Sequence, residues 1–352
     1  MDDKKLNVGV IGAGGISVSH LSAYKAYPRA NLYSICDIDE DWLPDAAKLY
    51  GVDKAYTDYM KMLQDPGLDA VSICLPTRLH AEAAINALKM GKHVLCEKPM
   101  ATNAQDAREM KKHAEISGKK LMISQNQRFE DNVQLIKQYA ERGFFGEIYV
   151  IRAGWRRQMG ITPACGAERP NGKLYNRNFF NEKDNGGGVL RDLGSHLIDL
   201  SMYVAGFLKP IDVAGSLFRK FYPDDYVPGV SICDSEDLAL AQVRFDSGMT
   251  MQLEVSFGSY VAEELVYTEI YGTKGGASRR NGKLKFIEFE SESGSMVDTH
   301  ITKYESKSKC VQQRFVDAVL DNTDSPVPPD EGVKIIELLD AIYSAAGEII
   351  KN

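Results

Sequence analysis

The sequence has no run approaching the roughly 20 consecutive apolar residues that a membrane helix needs. Its charged start, Met1-Asp2-Asp3-Lys4-Lys5, leads into a short apolar run at Leu6–Ile11, without the longer apolar region of a secretory signal. Positive charge is not in excess: 42 Lys and Arg stand against 49 Asp and Glu, and the formal net charge of −7 disfavours nucleic acid as a partner. The six cysteines (Cys36, Cys74, Cys96, Cys165, Cys233 and Cys310) include no pair at C-x-x-C spacing. They read as reduced thiols in a reducing compartment, and no metal is expected. Cys165 alone sits in a polar loop, and no His or second Cys flanks it at ligand spacing. Internal repeats and low-complexity segments are absent. What remains, 44% hydrophobic and 26% charged over 352 residues, predicts a globular cytoplasmic protein with room for two domains.

The first 125 residues alternate short apolar runs with helical patterns. Strands are expected at Asn7–Ile11, Asn31–Cys36, Ala70–Leu75, His93–Cys96 and Leu121–Ser124. Helices are expected at Ile16–Tyr27, Glu40–Tyr50, Leu79–Met90 and Asn103–Ser117. Unbroken apolar strands between helices predict a doubly wound parallel sheet of the Rossmann type, covered on both faces. Beyond Phe129 the texture changes. A connecting helix at Asn132–Arg142 and a strand at Glu147–Trp155 precede a loop at 157–188 rich in Gly, Asn, Pro and Arg. A helix at Gly194–Val204 follows. Segments at Asp237–Phe245, Met249–Phe257 and Leu265–Tyr271 then read as strands, with Asp246-Ser247-Gly248 as a hairpin turn. The fold class is therefore α/β followed by α+β. A Rossmann domain (1–125) precedes an α/β domain on a largely antiparallel, open-faced sheet (126–330) and a C-terminal helix (331–352). An open sheet face suggests a homodimer or homotetramer.

The strand Val8–Ile11 runs into Gly12-Ala13-Gly14-Gly15-Ile16-Ser17 and then a helix. Gly12 permits a tight turn, Gly14 lets the backbone approach a pyrophosphate, and Gly15 and Ile16 open the helix whose N-terminus favours the anion. Ser17 replaces the third fingerprint glycine. Asp37 ends the second strand, 23 residues beyond Gly14, where a carboxylate accepts from a ribose 2′-hydroxyl and repels a 2′-phosphate. No Arg follows it, so the expected cofactor is NAD rather than NADP.

Three motifs then stand in order: the glycine loop, Glu97-Lys98-Pro99-Met100 after the fourth strand, and Gly186-Gly187-Gly188-Val189-Leu190-Arg191-Asp192-Leu193-Gly194-Ser195-His196. With them the chain resembles the Gfo/Idh/MocA oxidoreductase family (glucose–fructose oxidoreductase, inositol dehydrogenase and relatives) over essentially its whole length. The resemblance implies that Lys98 lies beside the nicotinamide and touches the substrate hydroxyl, with Glu97 near the cofactor and Asp192 and His196 facing it. It also suggests a cis peptide before Pro99. Oxidising a carbinol requires removal of a proton from oxygen, and His is suited to that near neutral pH. Asp192 and His196 are four apart, so on one helix they would share a face, the carboxylate orienting the imidazole. Asp192 as a helix N-cap is the plainer reading of that residue. Which of Lys98 and His196 is the formal base stays open.

Pro76, Thr77 and His80 follow the third predicted strand, where the family places a cofactor loop; His80 as an ordinary first-turn residue is the alternative. Asn126 and Arg128 point polar groups toward the crevice, or serve structural hydrogen bonds. Trp155, Arg156 and Arg157 offer a sugar-stacking ring and hydroxyl-binding guanidinium groups, against the plain alternative of a buried Trp and exposed arginines. Tyr175, Asp199 and Lys173 are weaker candidates. The expected activity is NAD-dependent dehydrogenation of a secondary hydroxyl on a sugar, sugar derivative or cyclitol. A glycosidase that oxidises its substrate transiently, and a non-enzymatic NAD-sensing regulator, are the alternatives.

Overall fold

A strand with no apolar–polar alternation is stable only where helices cover both its faces, and the first third of the chain is built that way. In a computed structural model describing residues 5–159, 182–220, 234–301 and 309–351, the elements are β1 (Leu6–Ile11), α1 (Ser17–Ala26), β2 (Ala30–Cys36), α2 (Leu43–Tyr50), β3 (Lys54–Tyr56), α3 (Tyr59–Leu63), β4 (Ala70–Ile73), α4 (His80–Lys89), β5 (His93–Glu97), α5 (Ala104–Ser117) and β6 (Leu121–Ser124). The six strands pair in parallel in the order β3-β2-β1-β4-β5-β6. Val8, Val10, Ile35, Val71, Ile73, Val94 and Leu95 are wholly buried between the helical layers. This is the Rossmann sheet that the sequence predicts. The addition is β3 with α3, whose three mostly exposed strand residues carry no apolar signature. Strand order reverses between β1 and β4, so a crevice opens above their C-terminal ends, where such sheets bind ligands.

The chain continues through α6 (Asp131–Glu141), β7 (Ile148–Gln158), α7 (Glu182–Asn185) and α8 (Ser195–Ala205) into β8 (Pro210–Phe218), β9 (Leu238–Phe245), β10 (Thr250–Ser259), β11 (Leu265–Gly272), β12 (Gly275–Arg280), β13 (Lys283–Glu290) and β14 (Ser295–Ile301). These strands form one sheet in the order β14-β13-β12-β11-β7-β10-β9-β8, antiparallel except for β7 beside β10. Burial alternates residue by residue along β9 and the first half of β10, the signature of a sheet with one packed and one open face. Helix α8 lies on the packed face, against β7 and β10. The hairpin turn predicted at Asp246-Ser247-Gly248 joins β9 to β10, with Gly248 at φ 92°.

Two final helices follow: α10 (Pro329–Ala346) begins within two residues of the expected boundary at 330, while α9 (Val311–Leu320) leaves the second sheet for the first. α9 packs against α1 and the strands β1, β5 and β6 of the first sheet. Tyr27 and Arg29 hold it through Asp317. α10 starts at Pro329, a proline suited to the first helical turn, and lies across α5, α8 and β8, so it spans both sheets.

Arg128 sits at this junction and corrects an expectation. It is 1% exposed, and its Nε donates to both carboxylate oxygens of Asp199 on α8 at 3.0 and 2.8 Å, while Nη1 pairs with Glu331 on α10. The rings of Tyr203 and Phe207 cover the guanidinium at 4.9 and 5.1 Å. Burial pushes the Asp199 carboxyl up, and Arg128 opposes it. With its donors committed, Arg128 ties three elements together and does not reach the crevice. Replacing it by Leu leaves Asp199 charged and unpaired in the interior, which is expected to cost about 3–5 kcal/mol. Urea denaturation checks this, and the Arg128→Leu, Asp199→Leu double variant should recover much of the loss.

Candidate functional site

The glycine loop between β1 and α1 is shaped to admit a dinucleotide. Gly12 has φ 95°, and a Cβ there would lie 2.5 Å from the Cys74 carbonyl oxygen, so no other residue fits without movement. Gly14 is half-buried, and Gly15 and Ile16 are exposed. α1 begins without a side-chain cap and without an acid in its first turn, leaving its positive end free for an anion. Ser17, in the third fingerprint position, is buried and donates from Oγ to the Gly14 carbonyl at 2.6 Å. Asp37 accepts from the Ala13 amide at 2.6 Å and the Asp39 amide at 2.9 Å, and Trp42 Nε1 donates to the Ala13 carbonyl at 2.9 Å. The Ala13 peptide is therefore gripped from both sides, with the acid at the loop's edge. These residues fit the dinucleotide that their spacing implies. Pro76 and the buried Thr77 form the turn after β4, across the strand-order reversal.

Two expected cofactor contacts turn inward instead. His80 is buried, its Nδ1 lying 2.9 Å from the Pro99 carbonyl oxygen and its Nε2 2.8 Å from that of Leu75. It joins the β4 and β5 loops, and burial lowers its pKa against the pull of those carbonyls. Glu97 is 6% exposed, with Oε1 2.7 Å from Nε2 of His20 on α1. His20 Nδ1 continues to Ser72 Oγ at 3.1 Å, which also meets the Tyr24 hydroxyl at 2.6 Å. Burial pushes the Glu97 carboxyl up, but the hydrogen bond and charge of His20 and the hydrogen bond of Ser124 prevail, and the net direction is down. Glu97 thus braces the Lys98 backbone from below; both side chains are interior because strand and helix direct them there.

Lys98 follows at the end of β5, with the expected cis peptide to Pro99. Its Nζ donates to Asp192 Oδ1 at 2.5 Å and to the Asp192 carbonyl at 3.3 Å. Asp192 stands in a π-helical turn, Leu190–Gly194, that leads directly into α8. Such turns hold an extra residue and shift the phase of the faces, so the four-residue spacing to His196 does not produce the expected carboxylate–imidazole pair. No hydrogen bond joins Asp192 to His196 among the described residues; the carboxylate goes to Lys98 instead. His196 is 9% exposed and its Nδ1 is buried without a partner. Burial, then the nearby cations Lys98 and Arg157, hold the imidazole well below the ordinary histidine value.

Strand alternation sorts the β7 candidates. Trp155 faces His196, ring centroids 6.2 Å apart, and Arg157 lies over the Trp155 ring at 5.3 Å. Arg156 corrects an expectation: it points to the opposite, open face, with its Nε 3.9 Å from Glu254 and its guanidinium 6.0 Å from the Tyr267 ring. Arg157 is the cation on the site side, and period-two counting from Trp155 finds it. Asn126 is exposed just past β6. Cys165, Lys173, Tyr175 and most of the 157–188 loop lie outside the described residues. Among the described residues no His, Cys, Asp and Glu cluster could hold a metal, and no helix is long and apolar enough to cross a membrane.

A glycine-lined crevice at a strand-order reversal, with a lysine–aspartate pair and a histidine near it, is the layout of an NAD-dependent oxidoreductase. Residues 6–125 match the model of an oxidoreductase family with an NAD-binding Rossmann fold, and 133–278 match the GFO/IDH/MocA C-terminal domain. The chain belongs to the Gfo/Idh/MocA family. Over 98% of its length and 97% of the relative's, it is 29% identical to D-glucoside 3-dehydrogenase of Escherichia coli K12. It is 27% identical to myo-inositol 2-dehydrogenase of Thermotoga maritima, covering 92% and 90% of the two chains. In structure it is similar to levoglucosan dehydrogenase in complex with NADH, with a TM-score of 0.84 over 97% of both chains at 22% identity. Asp37 should make the enzyme at least about tenfold more efficient with NAD⁺ than with NADP⁺, since a 2′-phosphate would meet a fixed carboxylate. Steady-state kcat/KM for the two cofactors measures this, and equal values would contradict it.

Proposed function

We propose that this chain oxidises a secondary hydroxyl of a sugar, sugar derivative or cyclitol with NAD⁺, and catalyses the reverse reduction. The observation that carries the reading is the Lys98–Asp192 pair at 2.5 Å beside an imidazole held neutral, at the C-terminal edge of the Rossmann sheet. Bound in the glycine-lined crevice, NAD⁺ would supply the acceptor for the hydride of the carbinol carbon. The residues of the chain handle the oxygen and its proton. An ammonium has three N–H donors, and two of those on Lys98 go to Asp192, so the third is left to hold and polarise the substrate oxygen. Held by the Asp192 carboxylate, the Lys98 Nζ serves as the electrophile. The neutral imidazole of His196 accepts the hydroxyl proton. Trp155 supplies a flat apolar wall against which a sugar ring can stack, and Arg157 and the exposed Asn126 offer donors to further hydroxyls. The names of the relatives support a carbohydrate or cyclitol substrate.

The test is NAD⁺ reduction across a panel of sugars, glycosides and inositols, repeated with His196→Ala. The variant should lose about 10²–10⁴ in kcat with KM for NAD⁺ little changed. Because the folded imidazole titrates below 6.5, it remains a proton acceptor through the ordinary histidine range. The acid limb of kcat/KM for oxidation should therefore lie below pH 6.5 and vanish in His196→Ala. The same depressed value makes His196 favour the folded state above 6.5 and lose that contribution as pH falls. A panel without turnover, or nitrophenol release from a nitrophenyl glycoside without net NADH, would favour the transient-oxidation glycosidase.

The open sheet face supports self-association. Arg152, Gln252, Glu254 and Tyr267 line a depression of about 380 Å³ on it, and Leu240 is 41% exposed nearby. A second copy would pair these polar and aromatic side chains across a flat, twisted surface. Sedimentation should give a dimer or tetramer, and Leu240→Glu with Tyr267→Glu should shift it to monomer.

A further inference from the structure

The pairing of Lys98 with Asp192 requires the glycine-rich turn before the π-helical segment to be held in one place, and three neighbours hold it. A Cβ on Gly186 would lie 2.8 Å from Thr102, one on Gly187 would lie 2.1 Å from the Tyr343 hydroxyl, and one on Gly188 would lie 2.1 Å from the Glu236 carbonyl oxygen. Each glycine thus makes way for a different part of the chain: the segment after β5, helix α10, and the residues leading into β9. Gly186 and Gly187 also take φ of 73° and 149°, where a side chain is strained.

Glu236 then satisfies three consecutive amides of the turn. Its Oε2 accepts from Gly188 at 2.9 Å, its carbonyl from Val189 at 3.1 Å and its Oε1 from Leu190 at 3.0 Å. The Tyr343 hydroxyl donates to the same Oε1 at 2.7 Å. Glu236 is 1% exposed, so no water competes for these bonds. One turn earlier on α10, Asp340 accepts from Arg191 Nη2 and from the Ala104 amide, both at 2.8 Å, and Arg191 Nε donates back to the Gly186 carbonyl at 3.1 Å. Asp340 therefore binds the chain on both sides of the reacting pair: the Ala104 amide, shortly after Lys98, and the Arg191 side chain, just before Asp192.

We infer that Glu236 and Tyr343 are positioning residues that set the distance between Asp192 and Lys98, acting through the Gly188–Leu190 amides. This rests on the dehydrogenase reading for its kinetic consequence and on geometry alone for its structural one. Glu236→Gln replaces one accepting oxygen by an NH₂ that faces an N–H or O–H donor, which displaces the turn. Tyr343→Phe removes a single donor and keeps the ring over the Arg191 guanidinium, now 5.1 Å away. Displacement of a reacting group by about 1 Å can cost on the order of a hundredfold in rate.

The experiment measures kcat, KM for NAD⁺ and the primary deuterium isotope effect on kcat for both variants, normalised to NADH-binding sites counted by fluorescence titration. Crystal structures of both are solved alongside. Glu236→Gln should lower kcat per site by about tenfold to a hundredfold, with KM for NAD⁺ within twofold and a raised isotope effect. Its Lys98–Asp192 contact should open beyond hydrogen-bonding distance. Tyr343→Phe should show the same changes at smaller size. A purely structural role would lower the melting temperature and the number of sites while leaving kcat per site, the isotope effect and the contact unchanged; that result overturns the inference. If Glu236→Gln does not fold, Tyr343→Phe decides. If the wild type turns over no polyol, the dehydrogenase reading fails, and the crystallographic contact still judges the positioning role.

Discussion

An ammonium at the end of a parallel sheet and a carboxylate on a turn beneath an antiparallel one meet at 2.5 Å, and the layout of the chain around them is organised by that meeting. Both side chains are only 14% and 21% exposed, so each has lost hydration that the mutual attraction must offset. Partly buried pairs of this kind contribute little net stability, and their worth lies in where they hold charge. Here the pair fixes the direction of the Lys98 Nζ. The positive charge also discourages protonation of His196, which burial already disfavours.

The first sheet was legible because period and spacing report on it directly: unbroken apolar strands, glycine-ended helices and Asp37 at the end of β2 each have one structural meaning. Gly51 and Gly118 end their helices in the left-handed conformation. The second sheet was legible in its best-patterned strands and hairpin. β12–β14 carry too little alternating apolar content to announce themselves, and β14 is exposed almost throughout. Lys98, Asp192 and His196 came from motifs; the structure pairs the first two at 2.5 Å and leaves His196 unbonded to Asp192.

What the sequence did not disclose depends on partners far along the chain. Arg128 looks like a crevice residue until Asp199 and Glu331, on two other helices, are seen to close around it. His80 and Glu97 sit in cofactor-loop motifs, yet their side chains point into the interior and bind backbone and His20. The choice between Arg156 and Arg157 was decidable from strand alternation alone, once Trp155 was taken as facing the site. Glu236 and Tyr343 carry no motif; only the three glycines, each too close to something to bear a side chain, signal that the turn is pressed on all sides.

The return of α9 to the first sheet has a consequence for how the protein is made. Val311, Phe315 and Val316 bury themselves against a layer whose last strand ends at Ser124. Synthesis proceeds from the N-terminus at about 5–20 residues per second, so that layer waits many seconds for its cover while the second sheet is produced. The apolar underside between α1 and β6 is therefore a surface on which a nascent chain can stick to its neighbours. Chaperone demand should be concentrated there, and a chain truncated before residue 311 would expose the same face permanently.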